Sequence, residues 1–226
     1  MLRRMEIGVL GATGPAGRGL AARLASLGHE VVAGSRDANR SAEAVAEMSE
    51  RWGSRVATLT SGTNADAAEA RDLVVVATVW DAAVETTHEH AALLDGKVVI
   101  AMANGLERVG KEFHPVLPAE GSLAAAMQVA APGARVVTAF QHVPAAAFAA
   151  LDDPLESDVI VCGDDEGARG TVLDLVDEMV NLRGFDGGSL ANAVGIETFA
   201  ALLLSINVRY KGKGTLRLLG VENGRA

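Results

Sequence analysis

The stretch Ile7-Gly8-Val9-Leu10-Gly11-Ala12-Thr13-Gly14-Pro15-Ala16-Gly17 decides the fold. A short apolar run passes straight into three glycines at G-x-x-G-x-x-G spacing, and helical spacing (Leu20, Leu24, Leu27) follows. Several apolar runs of this chain are continuous and not alternating, as expected of strands buried on both faces. Gly11 permits a tight turn, Gly14 lets backbone come close to a pyrophosphate, and Gly17 lets the helix lie against the strand. Pro15 suits a first helical turn, where its missing N–H would have had no intrahelical partner. The helix N-terminus then offers unpaired N–H groups and a positive dipole end to phosphate. A glycine triplet alone says little. Its place between a first strand and a first helix points to a dinucleotide.

Outward from this stretch the same alternation continues. Apolar β-branched runs at 31–32, 56–59, 73–77, 98–100, 136–139 and 159–161 are separated by segments of helical spacing, including 42–48, 82–94 and 122–130. This pattern predicts an α/β fold, a Rossmann-type doubly wound and mostly parallel sheet. After the run at 159–161 come an amphipathic helix around Val172, Leu175, Val176 and Met179, and a short strand and turn at 184–188. A final helix over roughly 190–208 carries Ile196, Phe199, Leu202, Leu203, Leu204 and Ile206. So wide an apolar surface predicts packing on the main body or on a second subunit. We expect residues 1–150 to form a dinucleotide-binding Rossmann domain and residues 151–226 a smaller, dependent C-terminal α/β and helical region.

Composition narrows the partners. The 226 residues are 49% hydrophobic, with 29 acidic against 20 basic side chains and a net charge of −9. The chain is too apolar to be disordered, and too acidic to favour nucleic acid or an anionic membrane as a partner. Any bound anion must therefore be held by a local arrangement. The single Cys162 excludes an internal disulfide and reads as a small buried hydrophobe of a cytoplasmic protein. No run approaches the ~18 consecutive apolar residues that cross a bilayer. The basic start Met1-Leu2-Arg3-Arg4 mimics an export signal, but the apolar segment behind it breaks at once into glycines. Lysine is scarce, standing only at 97, 111, 211 and 213.

The second strand selects the dinucleotide. An NAD site carries an acidic residue about 20 residues on, to accept from the ribose 2′-OH. Here Glu30-Val31-Val32-Ala33 ends in Gly34-Ser35-Arg36, with Arg40 one helical turn later and no carboxylate at the strand tip. A hydroxyl and two guanidiniums suit a 2′-phosphate, so NADP is expected. Asp37 is placed to cap the next helix.

Rival chemistries fail by absence. Tyr210 is followed by Lys211-Gly212-Lys213-Gly214 and so lacks the Tyr-x-x-x-Lys pair of short-chain dehydrogenases. No lysine falls within 112–210, where hydroxyacid dehydrogenases of the 6-phosphogluconate type carry one on a helix. His88-Glu89-His90 lacks an i, i+4 ligand pair, and no nucleophile–base pair is evident, so neither a metal nor a catalytic side chain is expected. Such a site suits direct hydride transfer between two bound cofactors, with the protein supplying orientation and water exclusion.

Several segments carry a resemblance that covers nearly the whole chain. They are 11–19, 24–36 (L-A-S-L-G-H-E-V-V-A-G-S-R), Trp80, 143–152 (V-P-A-A-A-F-A-A-L-D), 158–165 (D-V-I-V-C-G-D-D), and 188–212 with Leu190, Asn192, Glu197 and Asn207. Together they resemble the NADPH-dependent reductases of coenzyme F420. The resemblance implies NADP and coenzyme F420 as cofactors. Thr13, Gly14, Pro15 and Ala16 would hold the NADP pyrophosphate, and Ser35, Arg36 and Arg40 its 2′-phosphate. Thr78, Val79, Trp80, Met102 and Ala145 would border the nicotinamide. The deazaflavin would lie in a cleft beside His142, Val143, Asn192, Leu203 and Asn207, with backbone N–H groups near 143–145 on its pyrimidine carbonyls. One position departs: family members commonly carry a histidine where this chain has Gln141, and His142 follows. On a strand these neighbours would face opposite sides. Two other readings use the same core, an NADP-dependent reductase of an imine or small carbonyl substrate and a non-enzymatic NADP redox sensor. The apolar last helix leads us to expect a homodimer.

Overall fold

The computed structural model describes residues 4–222, so the start Met1-Leu2-Arg3 lies outside the described residues. The chain runs β1 (Glu6–Leu10), α1 (Pro15–Ser26), β2 (Glu30–Ser35), α2 (Ala38–Trp52), β3 (Leu59–Thr63), α3 (Asn64–Ala68), β4 (Leu73–Val76), α4 (Trp80–Glu89), α5 (Ala91–Leu94) and β5 (Val98–Ala101). A hairpin of β6 (Leu106–Val109) and β7 (Glu112–Pro115) follows, then α6 (Leu123–Ala130), β8 (Arg135–Thr138) and α7 (Ala145–Ala149). The remainder is β9 (Ser157–Gly163), α8 (Glu166–Asp177), β10 (Leu182–Asp186) and α9 (Ala193–Tyr210).

Eight strands make one sheet in the order β10-β9-β8-β5-β4-β1-β2-β3. Pairings from β3 across to β8 are parallel, β8 and β9 are antiparallel, and β9 and β10 again run parallel to each other. The fold is thus the expected Rossmann-type α/β sheet. Every residue of β4 and β5 is buried, which accounts for their unbroken apolar runs. One core layer gathers Leu20, Leu24, Phe140 and Phe148, the two rings meeting edge to face at 5.6 Å. The opposite layer gathers Leu94, Leu123, Met127 and Leu190. The connections diverge to opposite sides at β1 and β4, which opens a crevice at the strands' carboxyl ends.

Three expectations change. The run at 56–59 is not a strand: Val56 closes a 3-10 turn (Gly53–Val56), and β3 is the more polar Leu59–Thr63. Being the edge strand, β3 needs few apolar residues, so hydropathy points to the buried turn beside it. Hairpin β6–β7 was also not anticipated, because its sequences L-E-R-V and E-F-H-P are short, polar and largely exposed. Finally, residues 190–210 have the length and average composition of a membrane span, although Asn192, Glu197 and Asn207 interrupt the apolar run. In the fold that segment commits one face to protein: Ile196, Glu197, Ala200 and Leu203 are buried, and the Glu197 carboxylate accepts from the Leu123 and Ala124 N–H groups at the start of α6.

Candidate functional site

β1 delivers Gly11 to the crevice. Gly11 has φ +77, and a Cβ there would stand 2.8 Å from the Thr78 backbone, so conformation and space both demand glycine. Its N–H donates to Asn64 Oδ1 at 3.2 Å, and its carbonyl accepts from the Gly14 N–H at 3.1 Å. Gly14 is the N-cap of α1 and supplies no side-chain cap, which leaves the first N–H groups of that helix open. Nothing inside the protein requires glycine at 14: φ is −74, and a Cβ would meet only the Gly11 carbonyl oxygen, at 3.5 Å. Gly17 differs. A Cβ there would press to 2.8 Å from the same oxygen and 3.2 Å from Ala77 Cβ, so its absence seats α1 on the sheet. Pro15 occupies the first helical turn, as expected.

At the end of β2, Ser35 is buried and its hydroxyl accepts from the Asp37 N–H at 3.3 Å. Asp37 caps α2, accepting from the Asn39 N–H at 2.9 Å. Arg36 and Arg40 are exposed, and among the described residues neither is held in an ion pair. With Gly11, Thr13, Gly14, Pro15 and Ala16 these residues line a cleft of about 550 Å³.

A second chamber of about 300 Å³ opens from the first and shares Ala16, Ala77, Thr78 and Val79 with it. Trp80, Met102, Asn104, Val143 and Ala145 line it, and α9 adds Ala200, Leu203, Leu204 and Asn207. Gln141 and His142 also both line this chamber, against the strand alternation expected of them. β8 stops at Thr138, and Phe140 turns the chain with φ 71 while its carbonyl accepts from the Val143 N–H at 3.0 Å. Residues in a turn do not alternate as strand residues do.

Polar atoms concentrate on this wall. His142 Nε2 lies 2.6 Å from the Asp158 carbonyl oxygen, which can only accept, so Nε2 carries the proton and Nδ1 of the neutral ring is an acceptor. Burial pushes the imidazole below its ordinary pKa, against the opposing pull of Asp158. The Asn104 amide donates to the Gln141 carbonyl at 2.7 Å, which leaves its own oxygen over. Thr78 Oγ1, Asn104 Oδ1, both amide atoms of Gln141 and His142 Nδ1 are buried without a protein partner. Each such atom costs about 1–3 kcal/mol. Their gathering at one chamber gives that wall several donors and acceptors still unused by the protein.

Asp158 anchors this wall from behind. Its buried carboxylate receives Arg183 through two bonds, at 2.7 and 2.6 Å, and also the Leu218 N–H. Burial would raise its pKa, but Arg183, the Leu218 N–H and Arg217 together hold it below the usual carboxylate range. Arg23 braces the other flank by donating to the carbonyls of Ala147, Phe148 and Ala150 at the end of α7.

Some expected contacts take other forms. Asn192 is not among the chamber's lining residues; its amide donates to the Gly187 carbonyl at 2.7 Å. Asn207 lines the chamber, but its amide is engaged by both the N–H and the carbonyl of Gly214. The Val143 N–H is taken by Phe140 and Pro144 has none, so within 143–145 only the Ala145 N–H is left over. Sequence reading missed Asn64 and Asn104 altogether, since a lone asparagine after a strand looks like any turn residue. Cys162 is buried, as expected, with burial pushing its thiol up to about 11.

Comparison with known proteins gives the family of the chain. A family model described as NADP oxidoreductase, coenzyme F420-dependent, matches residues 6–105. The F420-dependent NADP reductase of Methanocaldococcus jannaschii is 34% identical over 223 residues, covering 96% of this chain and 100% of that one. The enzyme of the same name from Methanothermobacter thermautotrophicus is 32% identical, covering 91% and 90%. A solved structure from Arthrobacter sp. FB24, described provisionally as an F420-dependent NADP reductase, superposes with a TM-score of 0.80 at 27% identity, covering 95% of this chain and 99% of that one. On this similarity across its whole length, the chain belongs to the F420-dependent NADP reductase family.

Proposed function

We propose that this protein transfers hydride directly between NADP(H) and coenzyme F420. The observation that carries the reading is the pair of joined chambers, one ending at an uncapped helix N-terminus and free arginines, the other walled by unpartnered polar atoms. The α1 N–H groups behind Gly14 hold the pyrophosphate, and Ser35, Arg36 and Arg40 hold the 2′-phosphate. Thr78, Val79, Trp80, Met102 and Ala145 border the junction of the chambers and orient the nicotinamide. Gln141, His142, Val143 and Leu203 seat the deazaflavin. Residues 151–226 complete this wall through α9, beside the Rossmann domain of residues 1–150.

With both bound, the cofactors would supply hydride transfer between nicotinamide C4 and deazaflavin C5, the negative charge this leaves on the pyrimidine ring being met by a proton from water and not from a side chain. The protein contributes orientation and exclusion of water. We place it in the cytoplasm as a homodimer joined through the apolar groove of α9 and β7, where Leu202, Ile206 and Tyr210 are exposed beside Phe113. Sedimentation of the purified protein tests the dimer.

Mixing the protein with NADPH and oxidised coenzyme F420 and following the deazaflavin absorbance tests the function. Rapid loss of absorbance is expected. No turnover, with both molecules shown to bind, would refute it.

A further inference from the structure

The exposed turn that follows α9 is basic in an acidic protein. Lys211 and Lys213 are two of only four lysines, in a chain of net charge −9. Both are exposed, and among the described residues neither is held by a carboxylate. The arginines on either side are engaged: Arg209 pairs with Glu112 at 2.9 Å, and Arg217 lies 3.6 Å from the Asp158 carboxylate. The two lysines are therefore exposed cations without a carboxylate partner among the described residues.

The turn is fastened to the second chamber. Asn207 and Leu203 both line that chamber. Asn207 binds the N–H and the carbonyl of Gly214 through its amide, and its backbone carbonyl accepts from the Gly212 N–H at 2.9 Å. A Cβ on Gly214 would fall 2.9 Å from Asn207 Oδ1 and 3.7 Å from a Leu203 methyl, so the turn lies directly on the chamber's α9 wall. Both lysines lie in the short loop that this contact closes, between Asn207 and Gly214.

The backbone gives an independent sign. Lys211 closes α9 in the left-handed conformation, with φ 53 and ψ 37. Glycine or asparagine is the ordinary choice there, and a lysine is strained. Helix-dipole compensation does not account for it, because Arg209 already supplies a cation in the last turn. Lys213 lies beyond the helix altogether.

We propose that the turn Lys211-Gly212-Lys213 is an anion-binding rim that receives the acidic side chain of the second substrate while its ring lies in the chamber. This rests on the F420 reading above: coenzyme F420 carries a phosphodiester and glutamate carboxylates on the chain that leaves its ring. A rim of this kind separates the complete coenzyme from the same deazaflavin bearing only a ribityl chain.

The test compares KM for these two molecules, in the wild-type protein and in Lys211→Gln/Lys213→Gln, at low and high salt. Exposed ion pairs are individually weak, so two of them predict about a five- to ten-fold rise in KM for coenzyme F420 in the double variant. KM for the ribityl compound should change less than about two-fold, and the wild-type preference for the complete coenzyme should shrink as salt rises. Lys211→Gly adds a second readout: relief of backbone strain should keep its melting temperature at or above the wild-type value while its KM for coenzyme F420 rises. An equal KM change for both molecules, or none for either, would overturn the rim and leave the hydride-transfer reading intact. Failure of the wild-type protein to reduce either molecule would overturn both.

Discussion

Substituting Gly14 and Gly17 one at a time separates what the ligand requires from what the fold requires. At Gly14 the backbone already has φ −74, and a new methyl meets nothing nearer than the Gly11 carbonyl oxygen at 3.5 Å. Gly14→Ala should therefore fold normally, at a stability cost of at most about 1 kcal/mol for the poorer N-cap. Gly14 lines the first cleft, so the methyl would take up space there, where a pyrophosphate would sit. Losing one or two charge-assisted bonds of about 1.5–3 kcal/mol each weakens NADPH binding by about ten-fold at the least and about 20,000-fold at the most. At Gly17 the added methyl is forced to 2.8 Å from the Gly11 oxygen and 3.0 Å from Ala12 Cα, both backbone atoms. Overpacking of that kind costs about 1–3 kcal/mol and, in a chain of this size, lowers the melting temperature by about 2–4 °C for each kcal/mol. Calorimetric titration with NADPH and thermal melts of both variants provide the comparison. Wild-type affinity in Gly14→Ala, or wild-type melting in Gly17→Ala, would refute this account of the loop.

Other perturbations probe the remaining parts. Arg36→Ala should raise KM for NADPH by about ten-fold or more and leave KM for NADH nearly unchanged, since only NADPH has a 2′-phosphate to lose; equal effects would remove Arg36 from that role. His142 is held neutral by burial, so the unfolded chain takes up its proton near pH 6.5 and the folded protein only at lower pH. Its contribution to stability is thus complete above that pH and declines as the pH falls toward the folded value. His142→Gln should flatten part of the acid limb of a melting-temperature profile, and parallel profiles for the two proteins would contradict this. Glu197→Ala strands two N–H groups at the start of α6, which should cost about 2–4 kcal/mol and appear as an early melt. An unchanged melt would show that α6 is secured by its N-cap alone, the Ser122 hydroxyl that accepts from the Ala125 N–H at 3.0 Å.

By itself, the sequence determined the architecture and which residues of the glycine loop and of the β2 tip line the first cleft. Most continuous apolar runs became strands buried on both faces, the one at 56–59 excepted, and the glycine spacing at 11 and 17 encodes a turn and a packing contact within seven residues. Ser35 and Arg36 were legible because they stand at the tip of a recognisable strand. These are local features, and local features survive in one dimension. The far wall is different. Asn104, Gln141, Asp158, Arg183 and Leu218 are distant in the chain and have no shared spacing, yet they form one hydrogen-bonded assembly with His142. A left-handed Phe140 converts an expected strand end into a turn, bringing Gln141 and His142 to the same chamber. Asn207 shows the same limit from the other side: its amide is spent on Gly214, a partner that only the folded chain reveals. Hydropathy patterns record which face of an element is buried. Which polar atoms remain unpaired there depends on partners that only the tertiary structure brings together.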